Sequence, residues 1–284
     1  MIAGIVSVIS ALADGITVVV FSKDSYKFFN ALRRFIGRPP LFKVHEVRSK
    51  VDHNEMWRWN QRVFASRHPR SYEKFDIVSL ELGEQWWTRY RQQDWRMLDP
   101  DGDQIGTYCL IPIIESTFDK LIGNIIIETE ISSIDIVDER RIYAHQYWYI
   151  ANYMIAKRTS GTPRCASECV RHTIEEHMAV RMLKSADFAT HFGRDIHVVA
   201  VVEAASLERM AIQNGFQKAI PHDRFSPVYS MRISAPMAKK RSAEAAIRRK
   251  RAEAKLKAIK RPFFAQPRHH KVMFLSDRDM EARS

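Results

Sequence analysis

Arg158, Gly161 and Thr162 stand in the seven-residue run Lys157-Arg158-Thr159-Ser160-Gly161-Thr162-Pro163, whose composition suits the holding of a phosphate. A helix opening directly after such a turn offers N–H groups that have no partner inside the helix, together with the positive end of its dipole. A pyrophosphate satisfies both. Gly161 lets the backbone approach a ligand with no Cβ in the way, and the Arg158 guanidinium can pair with phosphate oxygens. Thr162 suits the N-cap and Pro163 the first helical position, although Pro163 donates no N–H of its own. Taken alone, the same run is also an ordinary strand-to-helix loop.

The elements that must position this turn are legible on both sides of it. Residues 147–156, Tyr-Trp-Tyr-Ile-Ala-Asn-Tyr-Met-Ile-Ala, form an apolar strand that feeds the turn, and a long helix follows. A second apolar strand covers 196–202, and a short helix from Ala205 closes at Gly215-Phe216. Upstream, residues 41–47 alternate as a strand. Residues 52–64 repeat Met56, Trp59, Val63 and Phe64 at helical spacing, and 80–91 suit another helix. Residues 95–98 and 105–114 flank the turn Asp99-Pro100-Asp101-Gly102-Asp103 as a hairpin. Ser116 to Asp119 can start a short helix.

The run Arg158-Thr159-Ser160-Gly161-Thr162-Pro163 after a hydrophobic strand resembles the Arg/Gln-x-x-Gly-x-Gly/Ala signature of the GNAT superfamily of acyltransferases. Arg158 and Gly161 match it, and Pro163 departs from the final small residue. The strand at 196–202 and the helix ending in Gly215-Phe216 are similar to the next two elements of that family, and the resemblance spans residues 41–233. It implies a mixed α/β fold, acetyl-CoA as co-substrate and direct attack of an acceptor amine on the acyl thioester. Met154, Ala156, Arg158, Thr159, Ser160, Gly161, Thr162 and Arg164 would then hold the CoA, with the Met154 N–H as oxyanion donor on a splayed central strand. The family often carries a tyrosine four residues before the Gly-Phe pair to protonate the leaving thiolate; Ala211 stands there, so Tyr149 or Tyr153 would have to replace it. Asn152 and Tyr153 point to opposite faces of the strand, so one of them faces substrate. Glu115, Glu128 and Glu130 are candidate bases.

Two other readings share these residues. An acyl-homoserine-lactone synthase has the same implied fold, and Arg62-Val63-Phe64 with the insertion after Pro112 resembles that family. A non-catalytic GNAT-like module binding a nucleotide, a membrane or RNA is favoured by Ala211 and Pro163. Glu128, Glu130, Asp135, Asp138 and Glu139 give the insertion an acidic character that would attract an amine or basic peptide, or would simply be solvated. Glu168, His172 and Glu176 recur every four residues on the long helix, a spacing that fits helix-stabilising pairs better than a metal site. No metal is expected.

Charge divides the chain. Of a net +12, residues 239–261 carry nine, from eleven Lys/Arg against Glu244 and Glu253. The expected organisation is a hydrophobic anchor and basic linker at 1–40, the acyltransferase domain at 41–237 and a basic helical or disordered tail at 238–284. The tail could lie on acidic lipid or RNA. Residues 2–21 are nearly all apolar and approach the ~20 residues of a bilayer-spanning helix. Asp14 opposes spanning by roughly 3 kcal/mol. Lys27, Arg33 and Arg34 in the amphipathic stretch 26–36 suit lipid headgroups. Residues 2–36 therefore read as a single-pass anchor holding the domain on the cytoplasmic side of the inner membrane, or as helices packed on the domain or on a partner. Three cysteines, Cys109, Cys165 and Cys169, fit a reducing compartment and form no disulfide framework.

Overall fold

The computed structural model describes residues 43–67, 78–99, 103–138, 145–156, 164–202, 205–219 and 227–258. The proposed anchor at 2–36, the phosphate turn at 157–163 and the chain beyond 258 lie outside these residues. No helix among the described residues is long and apolar enough to cross a membrane.

The described residues form seven strands, the longer ones rich in aromatic and β-branched residues: β1 (Lys43–Glu46), β2 (Asp94–Leu98), β3 (Gln104–Pro112), β4 (Tyr147–Ile155), β5 (Ile196–Val201), β6 (Gln217–Lys218) and β7 (Val228–Ile233). They form one sheet in the order β1-β2-β3-β4-β5-β7-β6. Every pairing is antiparallel except β4 with β5. A parallel pair needs a long crossover, and α4 (Arg164–Thr190) supplies it. The mixed α/β arrangement is the one the resemblance implies: a strand, two helices, a meander, a central strand, a long helix, then a strand, a helix and a final pair of strands.

The helices cover both faces. Thr107 and Tyr108 are successive residues of β3 and so point to opposite sides. Thr107 bonds Asn60 of α1 (Lys50–Arg67), whereas Tyr108 bonds His177 of α4. So α1 and α4 lie on opposite faces. Gly106 lets α4 settle closely, because a Cβ there would stand 2.9 Å from Ile174 Cδ1. With α1 packs α2 (Leu80–Arg89), whose N-cap Ser79 accepts from the Leu82 N–H at 3.2 Å. A short helix, α3 (Glu115–Ile122), precedes β4. After β5, α5 (Ala205–Gln213) ends at Gly215, whose φ of 77° is a left-handed conformation that favours glycine.

The basic segment, expected to be helical or disordered, forms α6 (Ala235–Ala258), which packs on α4. Ala238, Ala245 and Ala252 are buried at seven-residue spacing, the repeat of a helix seam, and their small side chains permit close approach. Against α4, Lys255 reaches Glu168 at 3.6 Å, Arg248 reaches Glu175 at 3.8 Å and Arg249 pairs with Glu176. Rising numbers on one helix meet falling numbers on the other, so the two run antiparallel. The cations that read as a lipid or RNA surface are thus partly spent on α4. The same contacts occupy Glu168 and Glu176, while His172 sits 2.9 Å from Glu175. No cluster able to hold a metal is found among the described residues.

Candidate functional site

Strands β4 and β5 pair only over four positions, from Tyr147 with His197 to Ile150 with Ala200. Beyond Ile150, β4 runs on to Ile155 without β5 beside it. The cause is visible on the other edge of β4, where the register against β3 slips: Leu110 opposes Ile150, Cys109 opposes Asn152, and Ala151 is the extra residue of a β-bulge. A bulge bends its strand and increases local twist, which swings β4 away from β5.

The bulge also resets which backbone groups face the gap. The Ala156 N–H donates to Ile105 O at 2.8 Å, so Ala156 is turned toward β3. Alternation along the strand turns Met154 the same way, opposite Thr107, and turns Tyr153 toward the gap. The Met154 amide, expected to face a ligand, is therefore turned away from the gap. The Met154 and Ala156 amides serve the β3 ladder, and the Tyr153 N–H is turned toward the gap between the strands.

A cavity of about 790 Å³ occupies the gap and reaches both faces of the sheet. On the α1 face its wall includes Trp57, Asn60, Gln61, Phe64, Glu128 and Asn152. On the opposite face α4, α5 and α6 close it, through residues such as Glu175, Met178, Ala211 and Arg241. The Arg241 guanidinium donates to Asn214 O at 2.6 Å and ties α6 to the end of α5.

Three neutral side chains form a relay at the α1 wall. Asn152 Nδ2 donates to Thr107 Oγ1 at 2.9 Å, and that hydroxyl donates to Asn60 Oδ1 at 3.0 Å. The hydroxyl accepts once and donates once, which fixes both amide orientations. Asn60 Nδ2 is left buried without a partner. On the other face, the buried Tyr153 hydroxyl also lacks a partner. Burial holds it above the usual phenol range, and the nearby Glu175 adds to the rise while Arg171 opposes it. Tyr153 therefore keeps its proton and can donate it in a hydrogen bond. Unpaired buried donors are costly, so these two mark where a ligand would be stabilised.

Of the sequence candidates, Asn152 and Tyr153 meet at the cavity from opposite faces, as expected from their adjacency, and Met154 also lines it. Glu115 does not join them. Its carboxylate accepts from the Tyr147 hydroxyl at 2.5 Å, five residues before Asn152 and roughly 16 Å away along the strand. Burial, then Glu115 itself, pushes that hydroxyl up to about 12. Tyr149 is buried in the core, which leaves Tyr153 as the tyrosine at the cavity. Arg164 opens α4, its side chain lying outside the described residues together with Arg158, Thr159, Ser160, Gly161 and Thr162.

The acidic insertion is mostly occupied with its own fold. Glu130 accepts from the Ile127 N–H at 2.8 Å, Asp135 accepts from Ser132 and Thr117, and Asp138 pairs with Arg89 at 3.6 Å. Of the three candidate bases only Glu128 borders the cavity. Cys109 is buried, and burial raises its thiol well above the ordinary range, which excludes it as a nucleophile.

Sequence reasoning missed Asn60, Thr107 and the contribution of α6. The signal for Asn60 was its place one turn after Met56 and Trp57, a polar residue on the buried face of α1. Thr107 gave no signal, being an ordinary strand residue.

No protein-family model matches the chain, and neither does any curated protein. Several solved structures are similar to it, GNAT-family acetyltransferases among them. An acetyltransferase of the GNAT family from Staphylococcus aureus Mu50 is 10% identical with a TM-score of 0.40, over 68% of this chain and 99% of that one. Spermidine N-acetyltransferase from Vibrio cholerae, in complex with CoA and spermine, is 14% identical with a TM-score of 0.37, over 70% and 98%. The catalytic domain of the Tetrahymena GCN5 histone acetyltransferase, with coenzyme A, is 9% identical with a TM-score of 0.35, over 68% and 93%.

Proposed function

We propose that this chain transfers an acyl group from acyl-CoA to an amine by direct attack. The observation that carries this reading is the parting of β4 from β5 after Ile150 and Ala200, which opens a cavity through the sheet and turns the Tyr153 N–H into it. A pantetheine arm entering from the 157–163 end would lie along the open edge of β4. Its thioester carbonyl would then accept from the Tyr153 N–H, which stabilises the oxyanion as charge develops.

The acceptor enters from the α1 face. Its nitrogen forms the C–N bond, the C–S bond breaks, and the sulfur leaves as a thiolate. Glu128 is the candidate to take the ammonium proton, directly or through water. The Tyr153 hydroxyl, protonated and unpartnered, is the candidate to hydrogen-bond or protonate the sulfur. Asn60 Nδ2 would donate to a carbonyl or hydroxyl on the acceptor and so orient it. The cavity wall on that side contains no Lys or Arg among the described residues, so a neutral or cationic acceptor fits better than an anionic one.

The full-length protein incubated with acyl-CoA and a panel of primary amines is expected to release free thiol in an amine-dependent manner. Tyr153→Phe should lower kcat with little change in the KM for acyl-CoA. Absence of both turnover and CoA binding would overturn the reading. Ala211, which lines the cavity where the family's tyrosine would stand, favours a second reading, a CoA-binding module without catalysis. CoA binding with no turnover for any amine would select it.

A further inference from the structure

Six of the eleven methionines in the chain line this one cavity: Met154, Met178, Met182, Met210, Met231 and Met237. Met154, opposite Thr107, shares the α1 face with Asn152, and the other five come from four separate elements, α4, α5, β7 and α6, so no single helical or strand repeat explains their convergence on the opposite face. Methionine is unbranched and polarizable, and its side chain adapts to apolar partners of varying shape. Ala211, Ala238 and Ala245 alternate with them and leave the chamber open.

The chamber also extends where a pantetheine arm has no need to go. The arm would enter at the open end of the gap, beyond Ile150 and Ala200. Yet Val198, Met231 and Ile233 line the cavity on the closed side of that pair. Met231 lies opposite Val198, and Ile233 lies opposite Ile196, four residues back from Ala200 along β5. Four strand residues span roughly 13 Å. On α4, which begins at the open end and runs back along β4, Met182 stands one turn nearer the closed end than Met178. An acetyl group would leave that apolar depth unused.

Building on the acyl-CoA reading, we infer that the acyl group this chain accepts is a medium or long fatty acyl chain, held in the methionine chamber between β4, β7, α4 and α6. The thioester stays at Tyr153, and the hydrocarbon runs past the last β4–β5 pair toward Met231 and Met237. Each methylene buried there is worth roughly fourfold in affinity.

The test is a calorimetric series on the full-length protein with CoA, acetyl-CoA, hexanoyl-CoA and decanoyl-CoA, followed by displacement of bound decanoyl-CoA with CoA. Decanoyl-CoA binding at least about tenfold tighter than acetyl-CoA, and displaced by CoA, is the expected result. Met178→Trp, which narrows the chamber, should remove most of that preference while CoA affinity stays within about threefold. Equal affinity for acetyl-CoA and decanoyl-CoA would overturn this inference and leave the acyltransferase reading standing. So would decanoyl-CoA binding that CoA does not displace. Failure of every thioester and of CoA itself to bind would overturn the acyltransferase reading as well. The wild-type series decides the question even where the variant does not fold.

Discussion

Ile150 and Ala200 are the last residues at which the central strands β4 and β5 touch in register, and the bulge at Ala151 follows immediately. One inserted residue therefore does two things. It bends β4 out of the sheet, and it turns the Tyr153 amide into the gap while Met154 keeps its place against Thr107. Backbone geometry, rather than any single charged side chain, defines this site.

The relay through Thr107 should matter to stability as well as to the site. Thr107→Val leaves Asn152 Nδ2 and Asn60 Oδ1 without their shared hydroxyl in a buried position. Stranding buried polar groups costs roughly 1 to 3 kcal/mol, so urea unfolding should show a loss of about 2 kcal/mol. A loss below about 0.5 kcal/mol would mean that the relay does not form.

Helix α6 is expected to behave as part of the domain. Ala245 is buried on its seam with α4, whereas Ile247 is 49% exposed. Ala245→Asp places an unpaired carboxylate in that seam and should cost about 3 kcal/mol, whereas Ile247→Asp should stay within about 0.5 kcal/mol. Equal effects of the two substitutions in thermal or urea unfolding would show that α6 is not docked.

His177 gives the fold a pH dependence of known sign. Burial, and then Arg181 and Lys184, lower it from the ordinary 6.5 to about 4. The Tyr108 hydroxyl, 2.5 Å from Nδ1, donates to the neutral ring. The unfolded chain takes up a proton near pH 6.5 that the folded chain refuses until about pH 4. The stability that His177 contributes is thus present above pH 6.5 and lost as pH falls toward 4, by up to about 3 kcal/mol. His177→Gln should flatten that part of the stability profile, measured by urea unfolding at pH 7 and pH 4. An unchanged slope would contradict a neutral, half-buried ring.

Much of the fold was legible because its elements carry their own periodicity. Residues 95–98 and 105–114 alternate around a glycine turn and form β2 and β3; the apolar run at 147–156 forms β4. That Asn152 and Tyr153 point to opposite faces was legible from their adjacency on a central strand, and both line the cavity. What failed depended on pairing. The bulge at Ala151 arises from register with β3, so the phase reversal that turns the Tyr153 amide, and not the Met154 amide, away from β3 leaves no mark in β4 alone. Glu115 looked available because it is acidic and near in sequence, but α3 carries it to the start of β4 beside Tyr147. The docking of α6 was masked by its composition: nine cations read as a solvated surface, while the three alanines at seven-residue spacing that form the seam are inconspicuous among them.

Hydrogen–deuterium exchange of the full-length protein with and without saturating CoA tests most directly whether the gap is a thioester site. The expected result is slowed exchange in peptides covering residues 151–155 of β4 and 199–201 of β5, with α1 and β1 unchanged. CoA that binds without protecting those residues, or that does not bind, would contradict the assignment.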